Sequence, residues 1–170
     1  MKYHINLIIR LATLLALGLN LNLFYKVLTP ITVYPVYFFF RLFYDARLID
    51  WTLDVDNTYI MFIPACIAAS AYFLFTVLLL TTKDIKFKLG LKILLFGFAS
   101  ILAVNIFRII LLLIILLNYG FNWFETVHLT IWMFVVSIFI ALLWIFFVKR
   151  YKIREIPFYS DFRYLLKRLR

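Results

Sequence analysis

An arginine stands in the middle of a long apolar run of this chain. The run LLFGFASILAVNIFRIILLLIILL has the length of a membrane-spanning helix, and Arg108 is its one charged residue. Arginine keeps its proton in proteins, and a charge near the centre of a membrane helix costs about 3 kcal/mol on insertion scales. Such a residue needs a partner, water or a function, which restricts the folds open to the chain.

The composition predicts an integral membrane protein. Hydrophobic residues make up 66% of the 170 residues, and apolar runs of spanning length recur. We therefore expect one membrane domain, residues 1–170, without a separate soluble part. Basic residues gather beside the apolar runs, around Lys83–Lys92 and over the tail 149–170, which is typical of cytoplasmic flanks and anionic lipid headgroups. This placement favours membrane lipid over nucleic acid as the partner of the net charge of +10.

Four segments are predicted to cross the membrane as helices. They are Ile5–Leu28, Pro64–Thr82, Leu89–Leu117 and Asn122–Val148. The aromatic stretch Pro35–Phe43 is short for a span and contains Arg41, so it is predicted to be interfacial or re-entrant. If it crosses, the number of spans rises to five. The predicted fold class is thus an all-α polytopic bundle of four to five transmembrane helices.

Charge placement also predicts the orientation of this bundle in the plasma membrane. The lysine-rich turn 83–92 and the basic tail are expected on the cytoplasmic side. The acidic stretch Asp45–Asp56 and the turn Asn118–Glu125 then face the outside. The basic and apolar N-terminus resembles a signal peptide without a clear cleavage site, so we expect an uncleaved signal anchor.

Two further reactive residues are predicted to lie near Arg108. Cys66, the only cysteine, begins the second span, and His128, one of two histidines, lies one to two turns into the fourth. Arg108 lies about 14 Å below the outer end of its helix, and its side chain reaches about 6 Å outward. The three side chains are therefore expected together near the outer membrane face.

These residue types suit nucleophilic acyl transfer. The first turn of a helix favours a thiolate, which makes Cys66 a candidate nucleophile. His128 can move the proton, and Arg108 can stabilise an oxyanion. Asn105 lies on the same helix face as Arg108 and is expected to support it. A single cysteine excludes an internal disulfide and C-x-x-C chemistry, and no metal or organic cofactor is predicted.

Three short motifs in this order resemble the exosortase/archaeosortase family. They are IPACIAASAYF around the cysteine, NIFRI around the arginine and ETVHLTIW around the histidine, within residues 63–148. The length and the cysteine motif look most like the small archaeosortases, such as pacearchaeosortase. The chain departs from the family where Ile67, Ala68 and Trp132 replace small residues or glycine.

The resemblance implies a membrane-embedded cysteine protease or transpeptidase acting on the extracytoplasmic side. Cys66 would be its nucleophile, Arg108 the stabiliser and His128 the general acid/base. Its substrates would be exported proteins that end in a short motif, a transmembrane helix and a basic cluster, and a lipid, another acceptor or water would resolve the thioester.

Two other functions stay open on the sequence alone. Arg108 is also suited to an anion site in a small transporter or channel, although no internal repeat is visible. The chain is also compatible with a structural membrane subunit in which Arg108 pairs with an acidic residue of a partner.

Overall fold

The computed structural model describes residues 2–83 and 85–153, most of which are helical. The helices are α1 (Lys2–Leu19), α2 (Leu21–Phe43), α3 (Pro64–Ile67), α4 (Ala69–Leu80), α5 (Phe87–Tyr119), α6 (Phe121–Thr130) and α7 (Val136–Arg150). A π-helical segment, Ile131–Val135, joins α6 to α7. The strands are β1 (Ala46–Ile49), β2 (Thr52–Val55) and β3 (Thr58–Met61). Asp84 and most of the predicted basic tail 149–170 lie outside the described residues.

Helix α5 alone, among residues 2–83 and 85–153, is long and apolar enough to cross a bilayer by itself. Helices α1 and α2 meet the same criterion only as a pair bent by 62°. Helix α4 is apolar, but its 12 residues are too few to cross a bilayer. Length and composition of these helices therefore support fewer spans than the four to five predicted.

The predicted first span, Ile5–Leu28, has the wrong boundaries. The chain leaves the helical conformation at Asn20, which has φ −118° and ψ 46° and separates α1 from α2. Helix α2 then continues through Pro30 and Pro35 and includes the whole Pro35–Phe43 stretch. Apolar residues continue on both sides of Asn20 and Asn22, which is why the pattern predicted one helix there.

The all-α prediction is incomplete, because residues 46–61 form a three-stranded antiparallel sheet in the order β1-β2-β3. Two-residue loops join the strands, and Asp56 and Asn57 both have positive φ in the second loop. Such a turn matches the twist of a hairpin, and Asp and Asn tolerate its backbone. Leu53 and Val55 alternate with polar residues and are fully buried against α2.

Two apolar clusters hold the helices together and meet beside α3. One joins α4, α5 and α7 around Tyr72, Phe75 and Trp144. The other joins the second half of α2, the sheet and the C-terminal half of α5, and Cys66 packs against it. Ile67, the next residue, belongs to the first cluster. The short helix α3 is therefore fixed between the two clusters, at the level of the middle of α5.

Helices α4 and α5 approach each other closely at Gly97, so Gly97→Ala should destabilise the fold. A Cβ there would lie 2.1 Å from the Phe75 ring, which is fully buried and packs against Trp144 and Phe147. We expect the free energy of unfolding to fall by about 1–3 kcal/mol, as overpacking of a tight core does. Thermal unfolding in detergent measures it, with Gly90→Ala as the control because the added Cβ meets only ordinary contact there. Equal melting of wild type and Gly97→Ala would contradict this packing.

Candidate functional site

The candidate site is built where the helix around Cys66 breaks. The predicted span Pro64–Thr82 is not one helix, because Ala68 has φ 55° and ψ 32° and separates α3 from α4. This left-handed conformation costs an L-residue about 1–2 kcal/mol, so the surrounding packing must impose it. Nothing in the run PACIAASAYF marks the break, since alanine favours a continuous helix.

The break exposes the carbonyl groups of α3, and two residues of α5 bind them. Asn105 Nδ2 donates to the carbonyl oxygen of Cys66 at 2.9 Å. Arg108 Nη2 donates to the carbonyl oxygen of Ala65 at the longer distance of 3.4 Å. Because the last carbonyl groups of a helix lack an intrahelical donor, these two side chains satisfy them. Asn105 thus fixes the backbone that carries the cysteine.

Cys66 is a half-buried free thiol at the third position of α3. Its own N–H donates to the carbonyl of Ile63 at 2.9 Å. The prediction that the first turn of a long helix stabilises a Cys66 thiolate is therefore wrong. Helix α3 spans four residues and has almost no dipole. Any charge stabilisation of a thiolate at this position has to come from a neighbouring cation.

Arg108 supplies that cation. Its side chain is 5% exposed, and the guanidinium lies within electrostatic range of both the Cys66 thiol and the His128 ring. Its Nε and Nη1 have no hydrogen-bond partner in the part of the chain that the structure describes. Within residues 2–83 and 85–153, no Asp or Glu forms an ion pair with it. One N–H of Arg108 is therefore bonded to the carbonyl of Ala65, and the N–H groups on Nε and Nη1 remain available inside the protein.

His128 approaches Arg108 from α6. Its ring stacks on Phe124 with the centroids 5.5 Å apart, and its Nδ1 is buried without a hydrogen-bond partner among the described residues. The π-helical segment starts three residues later, at Ile131. A π segment inserts an extra residue into a helix turn and is frequent at functional sites. The sequence contains no Gly or Pro at this position to signal it.

An apolar cavity of about 200 Å³ opens beside Arg108. It lies between α5 on one side and the π segment and the start of α7 on the other. Its polar lining residues are Asn105 and Arg108. Ala68, at the break, and Ala71 of α4 form part of the wall. The small side chains next to the break leave this space, and the sequence did not predict that Ala68 contributes to it.

The structure thus places the predicted residues Cys66 and His128 each within electrostatic range of Arg108, and it places Asn105 against the cysteine backbone. Among the residues described, no group of three His, Cys, Asp or Glu side chains is arranged to hold a metal ion. The chain matches no protein-family model, no curated protein and no solved structure.

Proposed function

We propose that this protein is a membrane-embedded cysteine protease or transpeptidase that cleaves exported proteins next to a C-terminal transmembrane helix. The observation that carries the proposal is the state of Arg108. It is buried, holds unpartnered N–H groups and lies in electrostatic range of a thiol and an imidazole. An intramembrane charge without a carboxylate partner is by default a functional group.

The proposed topology keeps the predicted orientation. Helix α5 crosses the plasma membrane, and the remaining helices bring the number of spans to four or five when α3 with α4, and α6 with α7, each count as one interrupted span. The lysines at 83–92 then face the cytoplasm. The sheet and the site lie toward the extracytoplasmic end of α5, where an exported substrate arrives.

The first half of the reaction forms a thioester. His128 takes the proton from the Cys66 thiol, and Sγ attacks the carbonyl carbon of the scissile peptide bond. The N–H groups of Arg108 stabilise the oxyanion of the tetrahedral intermediate. The C–N bond then breaks, and the imidazolium gives its proton to the leaving amine, which departs with the C-terminal helix of the substrate.

The second half releases the substrate from the enzyme. The hydroxyl or amine of an acceptor, or water, loses its proton to His128 and attacks the thioester carbon. The C–S bond breaks, and Cys66 leaves as a thiolate that recovers the proton. Asn105 acts as a positioning residue in both halves, because it binds the carbonyl of Cys66 and does not touch the reacting atoms.

A thioester on Cys66 is the test of this proposal. The chain is co-expressed with an exported protein that ends in a short motif, an apolar helix and a basic cluster. We expect a shortened substrate, and a fraction of its N-terminal part bound to the chain and released by neutral hydroxylamine. Because the chain has one cysteine, maleimide modifies Cys66 alone and should stop both events.

The matched control is the same substrate with its short motif deleted and its helix intact, which should stay full length. Shortening that continues after complete maleimide modification would contradict the proposal. An adduct that maps to another residue would contradict it as well.

A further inference from the structure

A second and larger cavity lies at the C-terminal end of α4 and the start of α5, away from Cys66. Its volume is about 650 Å³, and it is bounded by α1, the end of α4, residues Thr82, Lys83, Ile85 and Lys86, and the first turns of α5. One part of its wall is apolar, with Ile9, Leu79, Leu91 and Leu94 among the lining residues. The other part carries the cationic residues Arg10, Lys83 and Lys86.

Positive charge is in excess around this cavity. Arg10 donates from Nε to the carbonyl of Leu80, a bond that holds the side chain at the wall of the cavity. The sequence contains one acidic residue, Asp84, between the two lysines. The three cations outnumber it, so an anionic ligand is favoured over a neutral one.

The start of α5 adds a second element that binds anions. Lys86 is the N-cap residue and makes no side-chain capping bond. The first hydrogen bond of the helix runs from Gly90 N to the Lys86 carbonyl at 2.9 Å. The N–H groups of residues 87–89 therefore precede the intrahelical bonds of a 33-residue helix. Free N–H groups and the positive end of the dipole together favour a phosphate there.

The apolar wall decides which kind of phosphate compound fits. Phe87 and Leu91 are 84% and 47% exposed, and Leu94 follows one turn further along α5. These side chains continue for about 12 Å from Lys86 toward the middle of the helix. A free phosphate would leave this surface uncovered, whereas a molecule with a phosphate head and acyl chains covers both parts of the cavity.

We propose that this cavity binds one anionic phospholipid. Its phosphate lies at the N-terminus of α5 beside Lys86, Lys83 and Arg10, and its acyl chains run along Leu91 and Leu94. In the orientation that the positive-inside rule predicts, the lipid belongs to the inner leaflet. The site is independent of the cysteine chemistry proposed above, because its cavity shares no lining residue with the cavity beside Arg108.

Gly90 offers a way to fill the cavity without changing any charge. It lines the cavity, and an added Cβ would meet only Ile85 Cγ2, at 3.6 Å. A larger side chain at this position extends into the space assigned to the lipid. Lys88 is a matched control for charge, because it is exposed in the same first turn and does not line the cavity.

The experiment counts lipids bound to the full chain by native mass spectrometry in detergent. Dioleoyl phosphatidylglycerol, dioleoyl phosphatidylcholine and soluble glycerol phosphate are titrated separately. We expect one phosphatidylglycerol to bind more tightly than phosphatidylcholine, and glycerol phosphate not to displace it at equal concentration. Lys86→Gln should weaken binding about fivefold. Gly90→Leu should abolish it, and Gly90→Ala and Lys88→Gln should leave it within twofold.

Three results would overturn the proposal. The first is an equal loss in Lys86→Gln and Lys88→Gln, which indicates general attraction to basic flanks. The second is normal binding by a folded Gly90→Leu chain, which shows that the cavity is not used. The third is displacement by glycerol phosphate at equal concentration, which assigns the site to a soluble phosphate ester. If the Gly90→Leu chain does not fold, the comparison of Lys86→Gln with Lys88→Gln tests the proposal by itself.

Discussion

Replacing Cys66 by alanine should reduce the rate of substrate shortening by at least about 10³-fold, because the proposed reaction loses its nucleophile. Cys66→Ser should be nearly as inactive, since Arg108 and His128 are placed to activate a thiol and a hydroxyl is far harder to deprotonate. The side chain is half-buried and hardly changes in volume, so both variants should fold. A pulse-chase of the co-expressed substrate measures the rate, and detergent gel filtration checks the fold.

Ser70→Ala is the matched control for the cysteine variants. Ser70 lies one turn beyond Cys66, is exposed on α4 and could be mistaken for a second nucleophile in the same motif. Its replacement should leave the rate within about twofold. If Cys66→Ala keeps a tenth or more of the wild-type rate, the thiol is not the nucleophile. Arg108 would then have to be explained as an anion site or a structural residue.

The parts of the fold that the sequence predicted are those that long apolar runs determine. The run 89–117 lies within α5, and 122–148 lies within the helical stretch from α6 to α7. The sheet was not predicted, because the acidic residues in 45–56 indicate an outer segment by charge and interrupt the apolar pattern of its short strands. The alternation in TLDV and the turn residues Asp56 and Asn57 were a readable hairpin signal.

The positions where the helices break, by contrast, could not be predicted from the local sequence. Ala68 has a high helix propensity and nevertheless adopts a left-handed backbone, which tertiary packing on both sides of α3 imposes. The π segment lies in a uniformly apolar stretch without Gly or Pro. The candidate residues were identified by their chemistry and depth, but the break that lets Asn105 reach the carbonyl of Cys66 could be found only in three dimensions.

Replacing Arg108 should lower the activity without lowering the stability. This contrast separates a functional role of Arg108 from a structural one. Arg108→Gln removes a buried charge whose Nε and Nη1 have no partner, so the free energy of unfolding should stay unchanged or rise by about 1–3 kcal/mol. The rate of substrate shortening should nevertheless fall by about 10²–10³-fold, the usual effect of removing an oxyanion donor. Arg108→Lys should not restore it, because all N–H groups of an ammonium sit on one nitrogen, whereas the planar guanidinium reaches Ala65 and the oxyanion from separate nitrogens.

Asn105→Ala is the matched comparison, because it removes the neighbouring hydrogen bond without touching the reacting atoms. The carbonyl of Cys66 would lose its donor in a buried place, so the free energy of unfolding should fall by about 1–3 kcal/mol. Thermal unfolding and the pulse-chase rate, measured on the same preparations, therefore distinguish the two residues. If Arg108→Gln also loses stability and its activity falls only in proportion, Arg108 serves to bind the carbonyl end of α3, and the oxyanion role is wrong.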